Sequence, residues 1–108
     1  MNIDDLIVNT TSKIYFIKHD DISYCKSDNC YTTIHLTNGE VVVICKSLTK
    51  LEGDLDIHKF LRVSQSYLVN ISYIRAIDKK KKVIELQCST NIPFTISLKD
   101  FITNSNHI

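Results

Sequence analysis

Glycine and proline are scarce in this sequence of 108 residues, and long apolar runs are missing. The two glycines and the one proline are Gly39, Gly53 and Pro93, so most turns have to be formed by Asn, Asp, Ser and Lys. The apolar run of residues 41–44 falls far short of the roughly 18 residues that cross a bilayer, and no basic leader follows Met1. We therefore expect a cytoplasmic protein that does not contact a membrane.

A large excess of charge of one sign is also missing. The 13 Lys and Arg residues nearly balance the 12 Asp and Glu residues, which leaves a net charge of +1 and a pI near 7.7. A nucleic-acid-binding domain that is evident from composition has a pI above about 9. Composition therefore does not predict binding to nucleic acid, and such a function would depend on where single Lys and Arg residues lie on the surface.

The motifs that indicate catalysis or metal binding are absent as well. The sequence has no glycine-rich phosphate loop, no nucleophile elbow and no carboxylate pair among pocket-forming residues. Cys25, Cys30, Cys45 and Cys88 lack the spacing of a zinc site, and without a leader they are expected to be reduced thiols. We expect no enzymatic activity, no cofactor, no metal and no small-molecule substrate.

The sequence is instead rich in short runs of Ile, Val, Tyr, Phe and Thr, which are separated by polar clusters. Runs of this kind are typical of strands, and they predict a mostly β domain. Apolar residues make up 44% of the chain and charged residues 23%, which suits one folded domain. The predicted strands are residues 13–17, 22–26, 31–36, 41–45, 60–63, 74–78, 83–87 and 92–97.

Two segments between predicted strands have the composition of hairpin turns. Asn38 and Gly39 predict a type I′ turn, because both residue types tolerate the positive φ values that this turn needs. The four lysines at residues 79–82 predict a second hairpin turn, which must be exposed to solvent. Antiparallel pairing of neighbouring strands is therefore expected at both places.

One short helix is predicted after the first hairpin, between residues 47 and 55. Three leucines recur there at helical spacing, and the Ser47 hydroxyl can cap the first turn. The helix should end near Gly53. A further partial turn of helix is expected at residues 98–102.

The first twelve residues differ from the rest of the chain, because they lack a clear hydrophobic period. We expect a loose lead-in or a linker remnant at residues 1–12. The predicted domain then covers residues 13–108, and it contains no linker, repeat or low-complexity segment.

Residues 60–74, with the sequence FLRVSQSYLVNISYI, resemble the signature of the LytTR DNA-binding family. That signature reads Phe, an apolar residue, Arg, Val, His, Arg, Ser, Tyr, an apolar residue, Val and Asn. The hairpin and short helix before it, and the run IPFTIS at residues 92–97 after it, match the family too, so that the resemblance covers about residues 13–103. It implies an elongated arrangement of short antiparallel β-sheets with one short helix. It also implies a bacterial transcription regulator, typically the output domain of a two-component response regulator.

The resemblance further implies that loops contact double-stranded DNA at a promoter or operator, and no recognition helix does. Repeated sites and self-association on the DNA are compatible with it. The implied DNA-binding residues, in chain order, are Asn29, Cys30, Tyr31, Lys46, Ser47, Ser64, Gln65, Ser66 and Lys99. Candidate phosphate contacts are Arg62, Lys80 and Lys82.

Several residues in these regions have a structural interpretation beside the functional one. Arg62 is equally compatible with binding phosphate and with bracing the sheet through an ion pair. Asn70 is expected to bond nearby main chain at the turn into Ile71. The lysines at residues 79–82 are first of all residues of an exposed turn, although four cations beside DNA would displace counterions.

The sequence departs from the family pattern in two places. Cys30 is a weak hydrogen-bonding residue where relatives can use a better donor, and Ser64 and Gln65 replace His and Arg. Neutral hydrogen-bonding groups there predict lower DNA affinity or a different base preference. One alternative is therefore a LytTR-like protein-interaction module that binds DNA weakly. A second alternative, from a different class, is a cysteine-based redox or metal sensor. The one catalytic arrangement that the residues would permit is a Cys–His dyad of Cys30 or Cys25 with His35, and a histidine on the exposed face of a hairpin is usually only a surface residue.

Overall fold

Strands dominate residues 5–103, the part of the chain that the computed structural model describes, with side chains described up to Phe101. The strands, in chain order, are β1 (Asp5–Asn9), β2 (Ile14–Lys18), β3 (Ile22–Asp28), β4 (Tyr31–Leu36), β5 (Val41–Ile44), β6 (Phe60–Arg62), β7 (Tyr67–Asn70), β8 (Ile74–Asp78), β9 (Val83–Leu86) and β10 (Asn91–Pro93). The helices are α1 (Leu48–Gly53) and α2 (Leu98–Thr103). Single turns of 3-10 helix, His19–Asp21 and Ile71–Tyr73, precede β3 and β8.

The strands form three antiparallel sheets. Strands β1 and β2 form a two-stranded sheet, β5-β4-β3-β7-β6 a five-stranded sheet, and β10-β9-β8 a three-stranded sheet. The described part of the molecule measures 42 × 29 × 23 Å, so it is elongated. The predicted fold class, mostly β with short antiparallel sheets, is confirmed.

Two apolar clusters form the core. The first contains residues of β1 to β5, α1, β6 and β7, and among its fully buried members are Ile22, Ile34 and Leu51. The second joins β6 and β7 to the three-stranded sheet and to α2, with Val69 and Ile84 as fully buried members. Strands β6 and β7 contribute to both clusters, so the loop that connects them stands on a part of the sheet that is packed on both faces.

Strand β7 is the one strand inside the predicted domain that the sequence pattern missed. Its last three residues, Leu68, Val69 and Asn70, are all buried. Leu68 belongs to the first cluster and Val69 to the second, so both faces of the strand are covered. A strand that is buried on both faces lacks the alternation of apolar and polar residues that identifies a half-buried strand. The eight predicted strands are all present, although the last ends at Pro93, well short of residue 97.

The expectation of a loose lead-in is wrong for residues 5–9. Strand β1 pairs with β2 along its whole length, and its side chains Leu6 and Val8 are buried in the first cluster. Only three consecutive apolar residues between Asp5 and Asn9 carry this signal, which is too short a run to show a period. Residues 1–4 lie outside the described range, and the boundary at residue 13 stays a prediction.

Both predicted helical segments are present. Helix α1 begins after Ser47, whose side chain accepts a hydrogen bond from the N–H of Lys50, as the capping prediction requires. The partial turn expected at residues 98–102 is helix α2. Residues 5–103 therefore contain two short α-helices where the family resemblance implied one.

The first hairpin is confirmed, but its turn is not of type I′. Leu36 donates to the carbonyl of Glu40 at 2.9 Å, and Gly39 donates to the carbonyl of Leu36 at 3.0 Å, so the loop has three residues. Within this loop Gly39 alone has a positive φ, of 92°. A type I turn followed by a left-handed glycine fits this geometry. Asn38 contributes differently from the prediction, because its side-chain oxygen accepts from the N–H of Glu40 at 2.8 Å.

The two glycines provide a matched pair of stability variants, because a Cβ at either position meets no atom within 4 Å. We expect Gly39→Ala to lower the free energy of unfolding by about 1–2 kcal/mol, since an L side chain is strained at positive φ. Gly53→Ala, in helix α1, should raise it by up to about 1 kcal/mol. Urea unfolding measures both, and equal midpoints for the two variants would contradict this account of the turn.

Candidate nucleic-acid interface

Backbone hydrogen bonds bring the loops that the sequence singled out together around residues 64–66, which connect β6 to β7 and are called the β6–β7 loop below. The N–H of Ser27, near the end of β3, donates to the carbonyl of Ser66 at 2.8 Å. On the other side, the N–H of Thr95 donates to the carbonyl of Val63 at 2.9 Å. The β3–β4 turn and the segment that leads into α2 therefore both adjoin this loop.

The β3–β4 turn presents three exposed side chains. Asp28 pairs with Tyr31, so Asn29 and Cys30 form a two-residue connection. Asn29 has a φ of 57°, a left-handed conformation that asparagine tolerates better than most residues. The side chains of Asn29 and Cys30 are exposed, and Tyr31 is 46% exposed. The turn can therefore offer an amide to a partner without disturbing the sheet.

The β6–β7 loop has one inward and two outward side chains. The Ser64 hydroxyl oxygen accepts hydrogen bonds from the N–H groups of Ser66 and Tyr67, both at 3.1 Å. Gln65 and Ser66 are exposed. Ser64 thus stabilises the bend of the loop, while the Gln65 amide is the longest polar group that the loop directs to solvent.

Arg62 lies at the end of β6 and contacts both this loop and helix α1. Its Nε donates to the carbonyl of Ser64 at 2.8 Å, and its Nη2 donates to the carbonyl of Gln65 at 2.7 Å. Its Nη1 contacts the Glu52 carboxylate at 3.0 Å and the Thr49 hydroxyl at 3.3 Å. An ion pair, one of the two alternatives left open for Arg62, is present, and it joins helix α1 to the loop.

Lys46 and Ser47 lie at the start of α1, close to the beginning of β4. The Thr32 hydroxyl donates to the carbonyl of Lys46 at 2.6 Å. The Lys46 ammonium group pairs with Asp54 at 2.6 Å, and both side chains are nearly half exposed. An exposed pair of this kind is worth little free energy, so a phosphate can compete with the carboxylate for the ammonium group.

The lysine turn and the start of α2 lie on the side of Thr95. The N–H of Phe94 donates to the carbonyl of Lys82 at 3.2 Å, which places the turn of residues 79–82 beside the end of β10. Lys80 and Lys82 are exposed there. Lys99 lies in the first turn of α2 and is also exposed. The candidate cations on this side are therefore lysines on a turn and on a short helix.

Lys26 is a cation near the β6–β7 loop that sequence reasoning missed. It is exposed on β3, pairs with Tyr67, and holds its ammonium group 5.9 Å from the centre of the Tyr67 ring. The neighbouring His35 stacks on Tyr24 at 4.2 Å, and burial, together with the charge of Lys26, lowers the pKa of His35. Lys26 is a single lysine within a strand, so the sequence carries no signal that it lies near the β6–β7 loop.

Burial distinguishes the four thiols. Burial raises the pKa of Cys25 to about 12, whereas Cys30, Cys45 and Cys88 are exposed. Burial also acts to raise the pKa of Cys88, but hydrogen bonds with Thr90, Ser23 and the backbone outweigh it, so that the pKa is lowered. Cys25 belongs to the first core cluster and His35 stacks on Tyr24, so the structure does not form a Cys25–His35 pair.

Among residues 5–103, no three His, Cys, Asp or Glu side chains are grouped so that they could hold a metal ion. The helices within that range are all too short and too polar to cross a membrane. Both findings concern the described residues alone.

Comparisons with known proteins agree on one family. Residues 12–102 match the model of the LytTr DNA-binding domain. The sensory transduction protein LytT of Oceanobacillus iheyensis is 32% identical over 75 residues, which are 69% of this chain and 30% of that protein. The transcriptional regulatory protein NatR of Bacillus subtilis is 30% identical over 70 residues, 65% of this chain and 30% of that protein. The chain thus spans about 30% of the length of these relatives.

A solved structure shares the fold. The LytTr DNA-binding domain of a Bacillus cereus protein superposes with a TM-score of 0.73 at 17% sequence identity. The alignment covers 93% of this chain and 91% of that one. The shared fold therefore extends over nearly the whole length of both chains.

Proposed function

The chain belongs to the LytTr DNA-binding domain family, and from this membership we propose that it reads the sequence of double-stranded DNA through the loops that meet at residues 64–66. The observation that carries the proposal is a pair of backbone hydrogen bonds, from Ser27 near the end of β3 to Ser66 and from Thr95 to Val63, which set the β3–β4 turn and the segment before α2 beside this loop. Exposed amides on two of these segments, Asn29 and Gln65, are suited to base edges. The lysines around them are suited to phosphates.

The proposal assigns the chain a role as the DNA-binding part of a bacterial transcription regulator in the cytoplasm. An input domain such as a response-regulator receiver would belong to the same protein, and repeated sites on the DNA would bring copies of the domain together. The chemistry of binding needs neither a cofactor nor a catalytic group. With a net charge of +1, non-specific binding should be weak, so that contacts to bases would decide where the domain binds.

A protein-interaction role is the second candidate, and a distinct observation favours it. The β1–β2 sheet exposes three large apolar side chains, of which Ile14 is 59% and Phe16 65% exposed. Exposed apolar residues that cluster on one face are typical of surfaces that contact another protein. This sheet carries none of the proposed DNA-binding residues, so the two functions can coexist in one domain.

DNA binding is tested by a fluorescence anisotropy titration with a duplex selected from a random library and with a scrambled duplex of equal length. We expect Lys99→Ala to weaken binding to both duplexes alike and to flatten the plot of log K against log salt by about one unit, as the loss of one phosphate contact would. Lys18→Ala, which removes an exposed lysine of the β1–β2 sheet, is the control and should leave both quantities unchanged. Failure of selection to enrich any sequence at low salt would refute the proposed function.

A further inference from the structure

Arg62 has few donors left for a ligand. A guanidinium group has five N–H donors in a fixed plane. In the described structure these donors contact the carbonyls of Ser64 and Gln65 on one side, and Thr49 and Glu52 of α1 on the other. The side chain is 24% exposed, which is less than the Glu52 carboxylate that faces it. Arg62 therefore lies between the helix and the loop, and protein groups accept hydrogen bonds from all three of its guanidinium nitrogens.

We propose that Arg62 is the positioning residue of the β6–β7 loop: it fixes the loop backbone against α1, so that the Gln65 side chain points to DNA in one orientation, and it does not itself contact phosphate. The inference rests on the proposed function, because it assigns the loop to reading bases. It adds that the geometry of the loop is set before DNA arrives. Through the Thr49 hydroxyl, Arg62 also contacts the N-terminal end of α1, which directly follows Lys46 and Ser47.

The geometry of these contacts suits arginine and does not suit lysine. Two carbonyl groups that follow each other in the loop accept from two nitrogens of the same plane, a bidentate arrangement that an ammonium group cannot reproduce. Ser64 supports the same bend from within the loop, through its bonds to the N–H groups of Ser66 and Tyr67. The carbonyls and the N–H groups of the bend are thus bonded by different side chains, and Arg62 is the one that ties them to a second element.

The charge balance at Arg62 also argues against a phosphate contact. Glu52 pairs with the guanidinium at 3.0 Å and so offsets part of the positive charge that a phosphate would meet there. A phosphate at Nη1 would have to displace the Glu52 carboxylate, and a phosphate at Nε and Nη2 would leave two loop carbonyls without these donors. Lys26 is exposed near the same loop, and it offers phosphate a cation at lower cost.

The first test uses Arg62→Lys, which keeps the charge and removes the planar fork. Arg75→Lys is the matched control, because Arg75 is the other arginine of the chain and pairs with Glu85 at 3.3 Å. We expect Arg62→Lys to reduce the ratio of specific to scrambled affinity by about 3- to 10-fold, the loss that is typical when one bound side chain has to be ordered on binding. The salt slope should stay unchanged. An unchanged ratio, or a slope that falls by one unit, would overturn the proposal.

Two further measurements distinguish a positioning role of Arg62 from a direct contact with DNA. In the double variant Arg62→Lys/Gln65→Ala, the loss of specificity should be no larger than in Gln65→Ala alone, because Arg62 acts through Gln65. Additive losses would overturn the proposal. Glu52→Gln should leave the salt slope unchanged, whereas a phosphate-binding Arg62 that is freed from its carboxylate would steepen the slope by about one unit.

A readout without DNA keeps this inference distinguishable from the proposed function. Backbone 15N relaxation of the free domain should show lower order parameters at Gln65 and Ser66 in Arg62→Lys, and wild-type values in Arg75→Lys. If this change is seen while no DNA sequence is ever selected, the proposed function fails and the positioning role of Arg62 stands. If the order parameters stay unchanged and the domain still reads DNA, the positioning role of Arg62 fails and the proposed function stands. Thermal unfolding of each variant confirms that the domain is folded during the measurements.

Discussion

Replacement of Asn70 by alanine is expected to lower the free energy of unfolding by about 2–4 kcal/mol, one of the two largest effects that the structure predicts. Asn70 is 1% exposed, and its amide nitrogen donates to the carbonyls of Ile22 at 2.9 Å and His19 at 3.3 Å. Its side-chain oxygen accepts from the N–H of Ser72 at 3.0 Å. Alanine would remove all three hydrogen bonds, of which the two to carbonyls are buried, and it would leave a cavity between β7 and the start of β3.

Thermal and urea unfolding measure this loss, which corresponds to a fall in Tm on the order of 10–20 °C for a domain of this size. Asn91→Ala, at an exposed position of β10, is the control and should change stability by less than about 0.5 kcal/mol. Asn70→Asp keeps an acceptor for Ser72 but sets a carboxylate against two carbonyls, so it should destabilise the domain as well. A stable Asn70→Asp variant would show that the bonds to His19 and Ile22 contribute little.

The sequence pattern predicts best the elements in which one face is buried. Strand β4 begins at Tyr31 and ends at Leu36 as predicted, because Thr32 and Ile34 point to the core while Tyr31 and Thr33 do not. Strand β7 has no such alternation, and its residues gain their strand conformation from neighbours on both faces. That packing is formed by residues far away in the chain, so no local pattern reveals it.

The place of the first hairpin turn was predicted correctly, but its type was not. Asn38 and Gly39 suit a two-residue turn, but the pairing of Leu36 with Glu40 sets a loop of three residues. The register of the hairpin decides between these turns, and the register depends on which side chains of β4 and β5 enter the core. A dipeptide alone cannot carry that information.

The candidate site was predictable as a set of segments but not as an arrangement. The resemblance of residues 60–74 to the family signature pointed to the β6–β7 loop, and the family match agrees with it. The contacts of Arg62 with Ser64, Gln65 and Glu52 depend on how α1 packs beside β6, which no spacing in the sequence encodes. Lys26 was missed for the same reason, since its place beside Tyr67 is set by the pairing of β3 with β7.

Gln65→Ala is expected to weaken binding to the selected duplex by about 5- to 150-fold, the range that corresponds to one bidentate contact with a base. The Gln65 amide is exposed at the tip of a loop whose backbone is bonded on both sides. A glutamine amide can donate to adenine N7 and accept from adenine N6 in the major groove, and in the minor groove it would read the degenerate pattern of acceptors there. Because alanine changes no buried contact, the stability of the domain should stay unchanged.

The matched control is Gln87→Ala, which removes the other glutamine of the chain. Gln87 is exposed just after β9, at the end of the β8–β9 hairpin that lies opposite the lysine turn. Anisotropy titrations of both variants on the selected and the scrambled duplex give the ratio of specific to non-specific affinity. Gln65→Ala should lower this ratio and leave the affinity for the scrambled duplex unchanged, because a contact with a base edge is lost only where that base is present. An unchanged ratio would remove Gln65 from the reading surface and leave Asn29 as the amide on which base recognition by these loops depends.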